Sequence, residues 1–123
     1  MSQVAELLNI ALAGVFTNGL WAGKARDACP VPYGVFVHFG TTNWYLSGRA
    51  SDQNQRVQID CYSDTTVGAG LLADAVQAAM DLPNLNSSPS MFTATQLTRA
   101  LMPPDPETDA KRVMLEFSLW FRP

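Results

Sequence analysis

The stretch from Arg56 to Met80 constrains the fold most, because two different hydrophobic periods follow each other within it. Residues 56–62, RVQIDCY, alternate between apolar and polar side chains as a half-buried strand does. After residues 63–66, SDTT, the apolar positions recur every three or four residues, as in an amphipathic helix. The SDTT segment supplies a helix N-cap, and Pro83 cannot continue the helix. We therefore predict a helix that packs on a sheet.

The rest of the chain predicts one more helix and three more strands. The helix covers residues 3–16, with Ser2 as its cap, and the strands cover residues 33–46, 91–101 and 111–122. Predicted loops fill the remaining segments: 17–32, an exposed loop at 47–55, 86–90 and 102–110. The expected fold is α+β, with the order α-β-β-α-β-β in a single domain, 1–123. It has one mainly antiparallel sheet of four strands, or slightly more, with two helices packed on it.

The strands at 56–62 and 111–122 each have one fully apolar side, which we assign to the core. Their other side mixes aromatic, methionine and chargeable side chains: Arg56, Gln58, Asp60, Tyr62, Met114, Glu116 and Trp120. Such a mixture resembles a protein interface more than a solvated surface. The alternative is a sheet face that the chain's own loops half cover.

The predicted first helix is apolar on nearly every side, and only Gln3, Glu6 and Asn9 form a polar edge. Either it is a core helix, or a second subunit covers part of it, with Leu8 and Leu12 as candidate contacts. Charged residues make up only 15% of the chain, against roughly 25% in typical soluble domains. We expect some apolar surface to be buried against copies of the same chain.

Residues suited to catalysis or metal binding are scattered along the sequence. His38 lies in the middle of a predicted strand without a nucleophile motif, and Cys29 and Cys61 form no CxxC motif. We expect both thiols to be reduced and Cys61 to be a small core residue. The alternating acids of the proline-rich loop, Asp105 to Asp109, lack the length and the glycine of a calcium loop. The sequence predicts no catalytic residue, no metal and no cofactor.

The turn between strand and helix also lacks a phosphate-binding motif. SDTTVGAG, residues 63–70, has neither the Gly-Lys-Ser/Thr ending of a P-loop nor GxGxxG spacing. Gly68 and Gly70 follow the cap, so we assign them to close helix packing or to a local weakness of the helix, and Asp64 would repel a phosphate. The unit is architectural.

The charge distribution argues against a function in nucleic-acid recognition or in a membrane. The sequence pI is near 4.8, and the eight basic residues form no cluster that would grip a phosphate backbone. The apolar N-terminal segment has no preceding basic residue and is too short and polar to span a membrane. We expect no membrane partner.

The 56–80 stretch resembles the signature of a small family from tailed phages and prophages, the tail-completion or tail-terminator proteins. The resemblance rests on a strand R-V-Q-I/V-D-x-aromatic followed by a helix L-A-D-A-V-x-A-A-L. The matching positions are Arg56, Val57, Gln58, Ile59, Asp60, Tyr62, Leu72, Ala73, Asp74, Ala75, Val76, Ala78, Ala79 and Met80. PYGVF at 32–36 and the ending DPETDAKRVMLEFSLWFR fit the same order, whereas residues 84–102 show little of the pattern.

This resemblance implies a ring of copies of the chain, six in number. The ring caps the tail tube at the head-proximal end of the virion, stops tail polymerisation and offers a docking surface to the DNA-filled head, after assembly in the host cytoplasm. The implied partners are the major tail tube protein, the head-tail connector proteins, and genome DNA that passes the channel without specific binding. Residues Arg49, Asp52 and Gln53 of the 47–55 loop are candidates for contacting the tube or lining the channel.

Two other functions remain open at the level of sequence. A head-completion or neck connector protein would share the size, acidity and ring assembly. A small enzyme is the more remote possibility, and it would require a deep pocket in which His38 and carboxylates converge.

Overall fold

The computed structural model describes residues 8–9, 12, 14–23, 30–46, 49–80, 91–106 and 108–121, with only the backbone described at 40–46, 49–53, 91–94 and 121. The elements are β1 (Leu20–Ala22), β2 (Tyr33–Leu46), β3 (Arg49–Ser63), α1 (Thr66–Ala79), β4 (Met91–Met102) and β5 (Lys111–Phe121). The five strands form one sheet in the order β1-β2-β3-β5-β4. The predicted α+β class is confirmed.

The sheet is mixed and has five strands, which corrects the expected four-stranded antiparallel order. Strands β2, β3, β5 and β4 pair antiparallel with their neighbours, but β1 pairs parallel with β2. Strand β1 lies inside the segment predicted as a loop. Its three residues are too few to show alternation, and Gly19 and Gly23, both at positive φ, flank it.

The prediction of an exposed loop at 47–55 is wrong for residues 49–55, because β3 begins at Arg49. Residues 47–48 lie outside the described part of the chain. Backbone pairing with β2 joins Arg49 to Leu46, Asp52 to Trp44 and Gln53 to Asn43. Gln53 also pairs with β5 on its other side. The polar composition of this segment suggested a loop, but pairing between strands overrides such weak local preferences.

Helix α1 begins as the SDTT segment predicts. The Thr65 hydroxyl accepts a hydrogen bond from the backbone N–H of Gly68 at 2.9 Å. A Cβ on Gly68 would collide with the Ser63 hydroxyl and would lie 2.9 Å from that of Thr65, so this glycine permits close packing at the cap, as predicted.

The predicted first helix is described only in part, so the expectation of two helices is met only partly. Leu8 and Asn9 are helical, and the Leu12 N–H donates to the Leu8 carbonyl at 2.9 Å. Gly14 has a φ of 82° and lies in a turn, so the helix ends before Phe16, where the sequence placed its end. The other residues of 3–16 lie outside the described part of the chain.

The main core lies between α1 and one face of the sheet. The apolar sides of the two central strands are buried there as predicted, together with α1 and the N-terminal segment: Val57, Ile59, Cys61, Val113, Leu115, Phe117, Leu119, Ala69, Ala73, Val76, Leu8, Leu12 and Phe16. Burying a Leu, Ile or Val side chain fully contributes roughly 1.5–3 kcal/mol. This core fixes which side chains of β3 and β5 point away from the helix.

One glycine of β2 allows the N-terminal segment to close onto the sheet. A Cβ at Gly34 would lie 2.6 to 2.9 Å from three ring atoms of Phe16, which is buried in the core. Only a residue without a side chain leaves room for that ring.

We expect Gly34→Ala to lower the free energy of unfolding by about 1–3 kcal/mol, because the Phe16 ring must move from its site. Gly70→Ala is the matched control, since its new Cβ would meet nothing closer than 3.8 Å. In the helix interior that change should raise stability by roughly 0.5–1 kcal/mol. Urea unfolding of the three proteins measures both effects, and equal stabilities for the two variants would contradict the packing argument.

Candidate interaction surface on the second face of the sheet

The face of the sheet opposite α1, here called the second face, gathers the residues predicted for an interface. Cross-strand pairing aligns Val35, Asp60 and Met114 in one row, and Gln58 with Glu116 in the next. Because side chains of paired residues point to the same side, the seven predicted residues of β3 and β5 share this face. Whether a neighbouring subunit contacts them stays a prediction.

One end of the second face is closed by the chain itself. The Tyr33 and Tyr62 rings stack with their centroids 4.7 Å apart, and the Arg112 guanidinium lies 6.0 Å from the Tyr62 centroid. Arg112 also donates to the Tyr62 hydroxyl at 3.3 Å. Val35, Ala110, Val31 and Trp21 complete this small cluster. Tyr62 is buried as a result, so the alternative of partial covering by loops holds at this end.

Asp60 lies beside that closed end and is also buried. The Gln58 side-chain amide donates to both carboxylate oxygens at 3.2 Å. Burial raises the pKa of Asp60 above its usual range, and this outweighs the lowering by the Arg112 charge and by the Gln58 hydrogen bond. Asp60 therefore positions Gln58 from within the protomer and presents little surface of its own.

The other end of the second face, here called the open end, consists of Arg56, Gln58, Met114, Glu116 and Trp120. Arg56 and Glu116 form an ion pair across the strands, with the Arg56 side chain 53% exposed and that of Glu116 17% exposed. Met114 and Trp120 are partly exposed. An exposed ion pair contributes only about 0–1 kcal/mol to stability. The ion pair between Arg56 and Glu116 therefore contributes little to the stability of the fold.

The sequence did not predict the contact between Asn54 and Ser118 next to the open end. The Asn54 amide donates to the Ser118 hydroxyl at 2.6 Å, although 64 positions separate the two in sequence. Strand register creates this contact, and no local motif signals it. The alternation within β5 does assign Ser118 to this face.

The remaining predicted contact residues lie elsewhere. Leu8 is fully buried and Leu12 is 3% exposed, both in the main core. Packing within the chain therefore explains their apolar character without a second subunit, and a contact with one stays a prediction. Arg49, Asp52 and Gln53 lie in β3 and not in a loop, and their side chains are outside the described part.

The side chains that could act in catalysis or metal binding are not grouped together in the described part of the structure. Burial raises the pKa of the Cys61 thiol to about 12, so this core cysteine is a poor nucleophile. His38 pairs with Val57 in the sheet. In the described ranges, no three His, Cys, Asp or Glu side chains are placed to share a metal ion. Asp109 is exposed and pairs with Lys111 at 3.1 Å, whereas Glu107 and Cys29 lie outside the described residues.

A half-open depression of about 340 Å³ lies near the start of α1. It is lined by Val31, Tyr33, Asp64, Thr108, Asp109 and Ala110. His38 is not part of its wall, so this depression does not bring the histidine and carboxylates together. No helix in the described ranges is long and apolar enough to cross a membrane.

These features define a small α+β domain in whose described part the reactive side chains do not converge. The chain belongs to the family Tail completion protein gp17, which it matches over residues 3–122. The resemblance drawn from residues 56–80 is thus confirmed, and the protein is a structural component of the phage tail. No curated protein matches the chain.

Asp60 gives stability a distinctive pH dependence. Its folded-state pKa lies above the ordinary value of 3.8, so the folded protein binds this proton more tightly than the unfolded chain. The free energy of unfolding of the wild type minus that of Asp60→Asn should therefore fall as pH rises from below 3.8, and level off above the raised pKa. Urea unfolding across that pH range measures the difference. A difference that rises with pH would mean that the carboxylate is stabilised as an ion.

Proposed function

We propose that this protein forms a ring of six copies that caps the growing tail tube, ends tube polymerisation and presents the surface to which the DNA-filled head docks. The observation that carries the proposal is the match to a tail-completion family along nearly the whole chain, residues 3–122. A capping role requires shape and contact surfaces, and no reacting group. The ring sits at the head-proximal end of the tail after assembly in the host cytoplasm.

The open end of the second face is our candidate for one side of the contact between ring subunits. Trp and Arg are the residues that most often dominate the energy of protein interfaces, and Met is enriched there. Arg56 and Glu116 already neutralise each other, so a neighbour can cover them without burying an unpaired charge. Asp60 keeps the Gln58 amide in place beside them.

The far end of the β2–β3 hairpin, with Arg49, Asp52 and Gln53, is our candidate for contact with the major tail tube protein or for the channel lining. The chain has a net charge of −3. An acidic ring repels the phosphates of genome DNA, which therefore passes without specific binding. Head-tail connector proteins bind the side of the ring that faces away from the tail tube.

We expect particles assembled without this protein to contain overlong tails that lack heads, because nothing ends tube growth. Electron microscopy of a deletion mutant measures tail length and head attachment, and complementation with the wild-type gene is the control. Filled heads beside tails of normal length would instead assign the protein to the neck as a connector.

We expect Trp120→Glu to weaken assembly strongly while changing the free energy of unfolding little, because it places a carboxylate in the proposed contact. Leu119→Ala is the matched control. Leu119 is next to Trp120 in sequence, but its side chain points into the core and is fully buried. Leu119→Ala should therefore lower the free energy of unfolding by about 2–5 kcal/mol. Light scattering with and without tail tubes follows assembly, and urea unfolding follows stability. A large stability loss in Trp120→Glu with normal assembly would make Trp120 a core residue.

A further inference from the structure

Helix α1 and strand β4 carry most of the large apolar side chains that stay at the described surface. Among the described residues, five such side chains are exposed, and four of them lie on these two elements: Val67, Leu71, Leu97 and Leu101. Val67 is 75% exposed, Leu71 63% and Leu101 64%. A single exposed leucine is ordinary, whereas a group of apolar side chains on one part of a small domain indicates a contact site.

The strand pairing and the helical period place three of these side chains on one side of the molecule. Leu101 pairs with Val113, whose side chain lies in the core beneath α1, so Leu101 also points to the α1 side of the sheet. Val67 and Leu71 are four residues apart and therefore share the outer side of the helix. We call the following residues the α1–β4 surface: Val67, Leu71, Asp74, Arg99 and Leu101.

The rest of the protomer gives the side chains of β4 little cover. Of the described side chains of this strand, at 95–102, six are exposed and those of Ala100 and Met102 are half-buried. In the neighbouring strand β5, every second side chain from Val113 to Leu119 is buried. A side chain that stays in water gains nothing from the hydrophobic effect. Packing within the described protomer therefore does not explain why β4 carries exposed leucine.

Polar contacts hold β4 and α1 together in antiparallel directions. Gln96 contacts Gln77 near the end of the helix, and Arg99 binds Asp74 one turn earlier, at 2.7 Å. Leu101, two residues further along β4, therefore lies beside the first turns of α1. The chain leaves α1 and enters β4 at the other end of both elements, and the connection at 81–90 is outside the described residues.

The α1–β4 surface and the open end of the second face expose opposite charges. At the open end, the Arg56 side chain is 53% exposed and that of Glu116 only 17%, so the cation predominates. On the α1–β4 surface, the Asp74 side chain is 62% exposed and that of Arg99 34%, so the anion predominates. Opposite charges attract across a protein interface and fix its register. The two surfaces are therefore complementary in charge.

The two surfaces also lie on opposite sides of the sheet. The open end points away from α1, whereas Leu101 and the outer side of α1 lie on the helix side. A closed ring of identical subunits needs two different contact patches on each copy, one for each neighbour. The open end is one candidate patch, and the α1–β4 surface has the position and the charge of the second.

We infer that the α1–β4 surface of one copy receives the open end of the second face of the next copy. Asp74 of the first copy then faces Arg56 of the second. Leu71 and Leu101 cover the apolar parts of the open end, which Met114 and Trp120 provide. The occupant of the α1–β4 surface is thus a second copy of this chain. This inference rests on the ring of the proposed function and supplies the other side of its subunit contact.

Leu71→Lys and Leu101→Lys test the apolar part of the contact. Each should lower the affinity of assembly by about tenfold or more, because the contact must enclose an ammonium group without a partner. Leu71→Met is the matched control, because it keeps an apolar side chain of similar size and helix propensity. It should assemble as the wild type does. Sedimentation of the full-length chain, alone and with tail tubes, measures assembly, and circular dichroism checks folding.

A double-variant cycle tests the charged part of the contact. Arg56→Gln and Asp74→Asn should each lower the affinity of assembly by about tenfold, and the variant with both changes should lose no more than either alone. The reason is that removing one partner already abolishes the attraction between the two. Asp109→Asn is the matched control. Asp109 is also exposed and ion-paired, but it lies on neither surface, and asparagine tolerates its positive φ of 58°.

The outcomes of the cycle decide whether these two charges meet. A double variant about a hundredfold weaker than the wild type would mean that Arg56 and Asp74 act independently, and it would overturn their pairing. Wild-type affinity in both single variants would do the same. A loss of assembly in Asp109→Asn equal to that in Asp74→Asn would show a general effect of charge and would also overturn the pairing.

The experiments also separate this inference from the proposed function. Normal rings from both Leu71→Lys and Leu101→Lys would overturn the contact through the α1–β4 surface and leave the ring standing. An equal loss of assembly in Leu71→Met would likewise count against this contact. A wild-type chain that forms no ring in solution or on tail tubes would overturn the proposed function itself.

Discussion

The burial of one side of the two central strands beneath α1 determines the rest of the molecule. Val57, Ile59 and Leu115 are among the residues without exposed surface there. Successive side chains of a strand point to opposite faces of the sheet. Burying these residues on one face therefore places the side chains between them on the other face. Arg56, Gln58 and the other members of the second face are grouped together by the packing of the core on the reverse side.

The same alternation explains what the sequence predicts well. The core sides of β3 and β5, the cap at Thr65 and the glycine beside it follow from local patterns, and each is confirmed. The start of β3 does not follow, because its polar residues are held by strands on one or both sides rather than by their own preferences. Strand β1 is too short for any period to show.

The second face shows why the sequence left two possibilities for it. Alternation assigns Tyr62 and Arg56 to the same side, but it cannot tell which part of that side the loops will cover. The stacking of Tyr33 on Tyr62 closes one end, whereas the ion pair of Arg56 and Glu116 stays at the surface of the other. Contacts between residues far apart in sequence decide which end of the second face is closed and which is open. Local sequence patterns do not predict such contacts.

The length of the β2–β3 hairpin has a consequence for the timing of assembly. The 15 residues of β3 extend about 50 Å, whereas the 14 residues of α1 extend about 21 Å. Among the described residues, pairing with β5 ends at Gln53, and residues 49–52 are paired with β2 alone. A ribbon of two strands is barely stable in water by itself. The contact that we propose for this hairpin tip would therefore add, on docking, rigidity that the two strands lack by themselves.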